Sequence, residues 1–564
     1  MPASTPRIAS PFAALALALL ACALAVSTYP VFGNTWDEPE HIAAGLVLLE
    51  RDEYRFDDQH PPLARLAAAI GPFLAGARLP RPLPSYGDAA GRSVLYHSAA
   101  SYDTLLTLAR LGMLPFLLLL VLATWHWARR VLGGAGATLA AAFLVTTPVI
   151  LGHAGLAAID VPVTALIILA LGLVVRWLET PTRALAAGFG LAAGLATATK
   201  LSAVPFIGVA LLALGAARAW CVGTPPRQWR WRERLVGLAL AALLAALVPV
   251  AIYGPRLTDI ELPLLGHLRL PLGVAEVADN FVGVAFHNAH GHPSFLLGET
   301  RLYGWWYFYF VALAVKTPLP LLLAGLAGLA LLARRGLRER SVPLLSVPLA
   351  FVAILGFSAV YSHINIGVRH VMVLYPLLAI GAAQAVQAAW RASAAMADAT
   401  RRGALRVLLA GLLAWQAATL LAWPDYLAWF NVLAGEHPER ILVDSDLDWG
   451  QDLRRLSREL ARRHVDALYL AYSGSADLTL EHLPPFQALP RDRPVSGWVA
   501  IDMLTLKDGR PHYDWLLAYT PVARVGKSID LYRIDAPRAA ATVSASRRPA
   551  TRGARSPAAG SPRA

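Results

Sequence analysis

The residues whose types could do chemistry lie in a few short stretches of the chain. "NTWDEPEH", Asn34 to His41, carries adjacent carboxylates, Asp37 and Glu38, straight after the first long apolar stretch. A carboxylate at a membrane surface can take the proton of an incoming hydroxyl as that hydroxyl attacks. The same pair also reads as a helix start, because acids are favoured in a first turn and Pro39 suits a first helical position. In "DDQHPPLARL" His60 stands just before a Pro-Pro step that forces extended chain. Asp160, in "GHAGLAAIDVPVTA", opens an apolar helix. It is either a cap or an ionisable group facing a cavity or partner, since such groups are costly at membrane depth. "YSHINIGVRH" ends in Arg369 and His370 at the mouth of another apolar helix, and Lys200 occupies a further corner. A guanidinium matches phosphate geometry, and an ammonium adds a point charge.

"DSDLDWGQD", Asp444 to Asp452, alternates its aspartates as a calcium loop does. Gly450 falls one place late, and Arg455 stands where the bidentate acid should be, so an EF-hand is rejected. A strand end followed by helix capping accounts for much of the pattern. "HPSFLLGETRLYGWWYFYFVALAVKTPLP" is dense in aromatics. Trp305, Trp306, Tyr307 and Tyr309 fit an interfacial belt and would equally suit a lipid tail or a sugar.

The elements that must position these groups are membrane helices. Of the 564 residues 56% are hydrophobic and only 15% charged, and mean hydropathy is +0.50. A soluble chain would carry about a quarter charged residues. Apolar segments sufficient for about eleven spans recur as far as Trp423. They run near Pro11–Val31, Leu111–Trp127, Gly136–Gly152, Val161–Trp177, Leu185–Thr199, Ser202–Ala216 and Leu235–Tyr253. Four more lie near Thr317–Ala333, Val342–Val360, Val371–Ala389 and Leu405–Trp423.

The net charge of +13 does not point to nucleic acid, because its arginines fall in alternate short loops. Arg129 and Arg130, Arg176 and Arg183, and the runs 227–234, 334–340 and 401–406 follow the positive-inside pattern. With the N-terminus inside and the first helix retained, these loops are cytoplasmic. The stretches with unusual polar residues then all fall outside, and so does everything after Trp423. The two cysteines, Cys22 and Cys221, should sit at different depths and form no disulfide.

Beyond the membrane part, 1–423, the pattern changes. "ILVDSD" predicts a strand, "GQDLRRLSRELARR" an amphipathic helix with Leu453, Leu456 and Leu460 on one face, and "DALYLAYSG" another strand. A small extracytoplasmic α/β domain over 424–535 is expected. The Ala, Ser, Pro and Arg of 536–564 predict a disordered basic tail.

As an ordered set, Asp37-Glu38, "HPPLARL", "AAIDVPVTA", "ATKLSAVPF", "KTPLP", "INIGVRHVMVLYP", "YLAWFNVLAG" and "DSDLDWGQDL" resemble the bacterial branch of the GT-C glycosyltransferases. These are the phospholipid carrier-dependent enzymes related to protein O-mannosyltransferases and lipid A aminoarabinose transferases. The resemblance implies an α-helical polytopic GT-C membrane protein in a bacterial cytoplasmic membrane, with its active site on the periplasmic side. It implies inverting transfer of a sugar from a polyprenyl-phosphate donor to a hydroxyl of a protein, lipid or glycan. Asp37 matches the family's catalytic base, with Glu38 and Asp160 in the catalytic group. Arg369, His370, Lys200 and His60 would surround the donor phosphate, although His60 stands where aminoarabinose-transferring relatives have Lys. No cofactor is assigned, and a divalent metal is left open. The alternative is a transporter or flippase of a lipid-linked sugar, which would place ionisable groups near the midplane on broken helices in repeated halves. Here they cluster at one face, and no internal repeat is evident.

Overall fold

The computed structural model describes residues 11–535 apart from 57–58, 224–230 and 263–265. Asp57, Asp58 and the tail 536–564 therefore lie outside the described residues. Within them, 7 helices are long and apolar enough to cross a membrane: Tyr102–Val145, Asp160–Glu179, Ala203–Val222, Trp231–Tyr253, Leu319–Glu339, Val342–Tyr361 and Ala399–Ala422. Pro11–Val26, Leu63–Leu74 and Arg183–Thr197 are shorter apolar helices. The expected spans Leu111–Trp127 and Gly136–Gly152 share one helical run that breaks at Gly133, where φ is 77°. The expected span Val371–Ala389 is Leu374–Ala394, most of whose first half is buried by neighbouring helices.

Close helix crossings depend on small residues, since between membrane helices it is packing and not apolar burial that drives association. Leu319–Glu339 lies against Leu374–Ala394 along Gly325, Gly328 and Gly381. A Cβ on Gly328 would stand 1.7 Å from the Gly381 carbonyl oxygen. The basic rim predicted from the loops is also present. Arg130 donates to Glu179 at 2.9 Å, and Arg234 donates to the Leu178 carbonyl at 2.9 Å. Asp160 opens and Glu179 closes one helix of 20 residues, so this rim lies roughly 30 Å from Asp160.

Between the apolar helices Pro11–Val26 and Tyr102–Val145 the chain folds into Glu38–Arg51, Leu63–Leu74 and Gly87–His97, which share a small apolar core with the start of Tyr102–Leu111. After residue 423 the chain forms a five-stranded sheet in the order 486–488, 468–471, 497–502, 529–534, 523–525. Its first two pairings are parallel and its last two antiparallel. The helix Leu453–Arg462 forms with Leu453, Leu456 and Leu460 buried, and Leu468–Ala471 is the expected strand. "ILVDSD" is not a strand. Asp444–Asp446 make a single 3-10 turn with Asp444 at φ 50°, because these aspartates bond to backbone amides that a ladder would not offer.

The Gly328 crossing yields a direct test. Gly328→Val should separate the two helices and cost about 1–3 kcal/mol of stability, read as a lower melting temperature in detergent. Gly356→Ala, where the added Cβ meets nothing within 4 Å, should melt close to wild type.

Candidate functional site

The segment Asp444–Asp452 organises the site by taking hydrogen bonds from every element around it. Ser445 Oγ donates to the Ile366 carbonyl at 2.6 Å, and the Asp446 carboxylate accepts the Val368 N–H at 3.1 Å. Gly367, at φ 152°, can pass this close because its missing Cβ would lie 2.3 Å from Ser445 Oγ. On the other side the Trp36 N–H donates to the Trp449 carbonyl at 2.9 Å, and the Gly33 N–H to Gln451 O at 3.1 Å. The buried Lys316 ammonium donates to Asp446 O at 2.5 Å and Leu427 O at 2.7 Å. Asp448 accepts the Leu504 N–H at 2.9 Å, and Asp452 the Ser528 hydroxyl at 2.9 Å, which ties the segment to the sheet. The alternating aspartates are thus clamps for backbone amides.

Held this way, Asp37 and Arg369 meet. Arg369 Nη1 donates to Asp37 Oδ2 at 3.0 Å, and the guanidinium lies 4.2 Å above the Trp449 ring. Asp37 occupies the residue before the helix Glu38–Arg51 but makes no side-chain cap bond, so its carboxylate is committed to Arg369 and not to the helix end. The sequence offers a phosphate as the anion for Arg369. Asp160 Oδ2 is 3.6 Å from Nη1, behind Asp37 in closeness. Among the described residues the guanidinium donates this one hydrogen bond out of five possible.

The other expected residues gather around this pair. Lys200 Nζ donates to Asp160 Oδ1 at 2.6 Å with both side chains largely buried. Asp160 is the first residue of its helix, and Ile159 holds the cap position, so the cap reading of Asp160 is replaced by an ion pair. His370 is buried beside Lys200 and Arg369, and burial followed by those two charges pushes its pKa well below the ordinary imidazole range. It is a neutral hydrogen-bonding group at pH 7 and not a cation. His60 lies near His41, with ring centroids 6.1 Å apart.

Glu38 requires a correction. It was grouped with the catalytic acids, but the structure buries it completely behind the site. Its two oxygens accept Arg110 Nε and Nη2 at 2.8 Å each, Thr35 N–H at 2.8 Å and Ala157 N–H at 2.7 Å. Burial alone would raise its pKa, but the Arg110 charge and these hydrogen bonds bring it below the usual carboxylate range. A carboxylate so occupied cannot reach a substrate. It fixes the turn that presents Asp37.

Two chambers meet at the Asp37–Arg369 pair. One, of about 410 Å³, opens among Pro205, Phe206, Phe281, Val284 and Phe357, with His60, Lys200 and His370 towards the pair. The other, of about 570 Å³, lies under the sheet domain and is lined by polar and aromatic groups including Trp36, Asp444, Arg491 and Asp508. Asp37, Ile366 and Arg369 line both. Burial, opposed by the Arg369 charge, pushes the Asp444 carboxyl up to about 6. The described residues form no group of three or more His, Cys, Asp or Glu side chains that could hold a metal ion.

Sequence reasoning missed Arg110, Trp36, Asp444 and the chamber-lining residues of the sheet domain. Arg110 carried a usable signal, being an arginine outside the basic loops just as Arg369 is. The lining residues Arg491, Asp508 and His512 lie in loops whose approach to Asp37 is set only by the folded chain.

The chain's fold, a helical body with a polar site at one face and a small α/β domain over it, is also found among solved structures. The apo structure of ArnT from Cupriavidus metallidurans shares it at a TM-score of 0.50 and 14% identity, over 92% of this chain and 97% of that one. The same enzyme bound to undecaprenyl phosphate gives 0.49 at 14% identity, over 92% and 97%. The oligosaccharyltransferase AglB of Archaeoglobus fulgidus, solved with an inhibitory peptide and a dolichol-phosphate, gives 0.48 at 13% identity, over 87% of this chain and 69% of that one. No protein-family model and no curated protein matches the chain.

The Glu38–Arg110 pair should dominate local stability. Arg110→Ala strands a buried carboxylate and should cost about 3–5 kcal/mol, measured by thermal melting in detergent. Because Glu38 titrates below its unfolded value, its contribution is complete above the ordinary carboxylate range and is lost as pH falls through the depressed value. Glu38→Gln should therefore flatten the acid side of the stability–pH curve.

Proposed function

We propose that this protein transfers a sugar from a polyprenyl-phosphate donor to an acceptor hydroxyl, at the outer face of a bacterial cytoplasmic membrane. The observation that carries the reading is that one carboxylate–guanidinium pair lines both an apolar chamber between membrane helices and a polar chamber under the sheet domain. A lipid-linked donor has an apolar tail and a charged phosphate, and a hydroxyl acceptor is polar. A site between these two chambers can bring the anomeric carbon to one shared base.

In this mechanism the lipid occupies the apolar chamber, and its phosphate draws on the unused donors of Arg369, on Lys200, on the neutral imidazole of His370 and on His60. Arg369 then shifts its charge from Asp37 towards the phosphate, which frees the carboxylate. Asp37 takes the proton of the acceptor hydroxyl while its oxygen attacks the anomeric carbon from the face opposite the phosphate. The bond from that carbon to the phosphate oxygen breaks, its electron pair stays on the phosphate, and configuration inverts. One base suffices because a phosphodiester leaves without a strong acid, given cationic stabilisation. The fold shared with apo ArnT supports the reading.

Asp37→Asn should lower transfer by roughly 10²–10⁴, the range for loss of a general base, in an assay of polyprenyl-phosphate release by purified enzyme. Turnover near wild type would remove Asp37 from the mechanism. Arg369→Ala has two expected effects in thermal-shift measurements. The apo protein should melt lower, since Asp37 and Asp160 lose their shared cation. Protection by a polyprenyl-phosphate sugar, clear in wild type, should largely vanish. Wild type that gains no protection from the donor would overturn the function, and donor protection without any transfer would favour a lipid-linked-sugar flippase.

A further inference from the structure

The 570 Å³ chamber under the sheet domain holds more chemistry than the transfer step needs. Its size falls within the ~300–1,000 Å³ of small-molecule sites, which suits a compact group better than a protein surface. Trp36, one residue before the base, is pinned by its backbone N–H to Trp449 O at 2.9 Å. Yet its side chain is 46% exposed, and it lines this polar chamber and not the apolar one. Asp444 lines the same space in a left-handed backbone conformation, φ 50°. One of its oxygens accepts the Ser445 N–H at 2.5 Å, and the other accepts no hydrogen bond among the described residues. A non-glycine residue at such φ is uncommon and is held by its surroundings.

The charge pattern narrows the ligand further. The chamber's ionisable lining comprises Asp37, Asp444 and Asp508 against Arg369 and Arg491, with His292 and His512. Arg369 is already paired to Asp37, so an anionic acceptor would face carboxylates in excess of free cations. An uncharged molecule rich in hydroxyls would not. Its hydroxyls could donate to Asp444 and Asp508, while an apolar C–H face rests on the negative face of an aromatic ring. That combination of an aromatic plate beside carboxylate acceptors fits a sugar ring.

Resting on the transferase reading, we infer that the acceptor is an uncharged sugar ring, stacked on Trp36 with its hydroxyls held by Asp444, so that one hydroxyl faces Asp37. The ring would be carried either by a free glycan or by a membrane glycolipid. The Ser and Thr hydroxyls of a peptide would bring no C–H face to rest on the Trp36 ring.

The test measures polyprenyl-phosphate release by the full-length enzyme from a polyprenyl-phosphate sugar, with probes added at equal concentration. The probes are methyl glycosides, octyl glycosides of the same sugars, and Ser/Thr peptides. Stimulation by methyl glycosides supports the inference with a free glycan as the source, and stimulation by octyl glycosides alone supports it with a glycolipid. Trp36→Ala should raise the half-saturating glycoside concentration about tenfold or more, with Trp36→Phe restoring most of the loss. Asp444→Asn should weaken glycoside saturation with smaller change in the maximal rate. Stimulation by peptides alone, by no probe at all, or equally in wild type and Trp36→Ala would overturn the inference. Donor-induced thermal protection of wild type is measured in parallel. Its presence leaves the transferase reading standing when the sugar acceptor fails, and its absence removes both.

Discussion

The pairing of Asp37 with Arg369 is the constraint on which the site depends. The two residues are 332 positions apart; the Arg369 side chain is largely withdrawn from water, while Asp37 keeps partial exposure. A guanidinium removed from solvent costs several kcal/mol unless it is paired. Arg369 recovers this from Asp37, from Asp160 behind it and from the Trp449 ring below it. The same pair stands where the two chambers touch.

What keeps the pair in register is a second set of interactions. Glu38 and Arg110, both almost wholly buried, fix the turn from Gly33 to Asp37. The Asp444–Asp452 segment holds that turn on one side and the Arg369 loop on the other. Because Asp448 and Asp452 also accept hydrogen bonds from the sheet domain, that domain and the membrane helices share one polar framework. The polar chamber is the space this framework leaves between them.

The neutral state of His370 refines the electrostatics. Beside Lys200 and Arg369 a second imidazolium would repel both, and burial disfavours it further. Two cations and a neutral imidazole against two carboxylates leave the charges around the pair near balance.

The membrane-spanning character was legible in the sequence because apolar runs of sufficient length have no other stable solution in a bilayer. So was the grouping of Asp37, Asp160, Lys200 and Arg369, since loop arginines sort the remaining polar stretches together. The helix Leu453–Arg462 announced itself by leucine spacing. Pairings were not legible. Nothing local distinguishes Glu38 from Asp37, and only the arrival of Arg110 from 72 residues away makes one a buried strut and leaves the other facing a cavity. "ILVDSD" has strand-forming residues, but its aspartates bond to the amides of Ser445, next in the chain, and of Val368, far from it, and the ladder is lost. Composition and periodicity are properties of a segment and determine what it becomes alone. The partner of a charge and the walls of a chamber belong to segments brought together, and only the tertiary structure decides them.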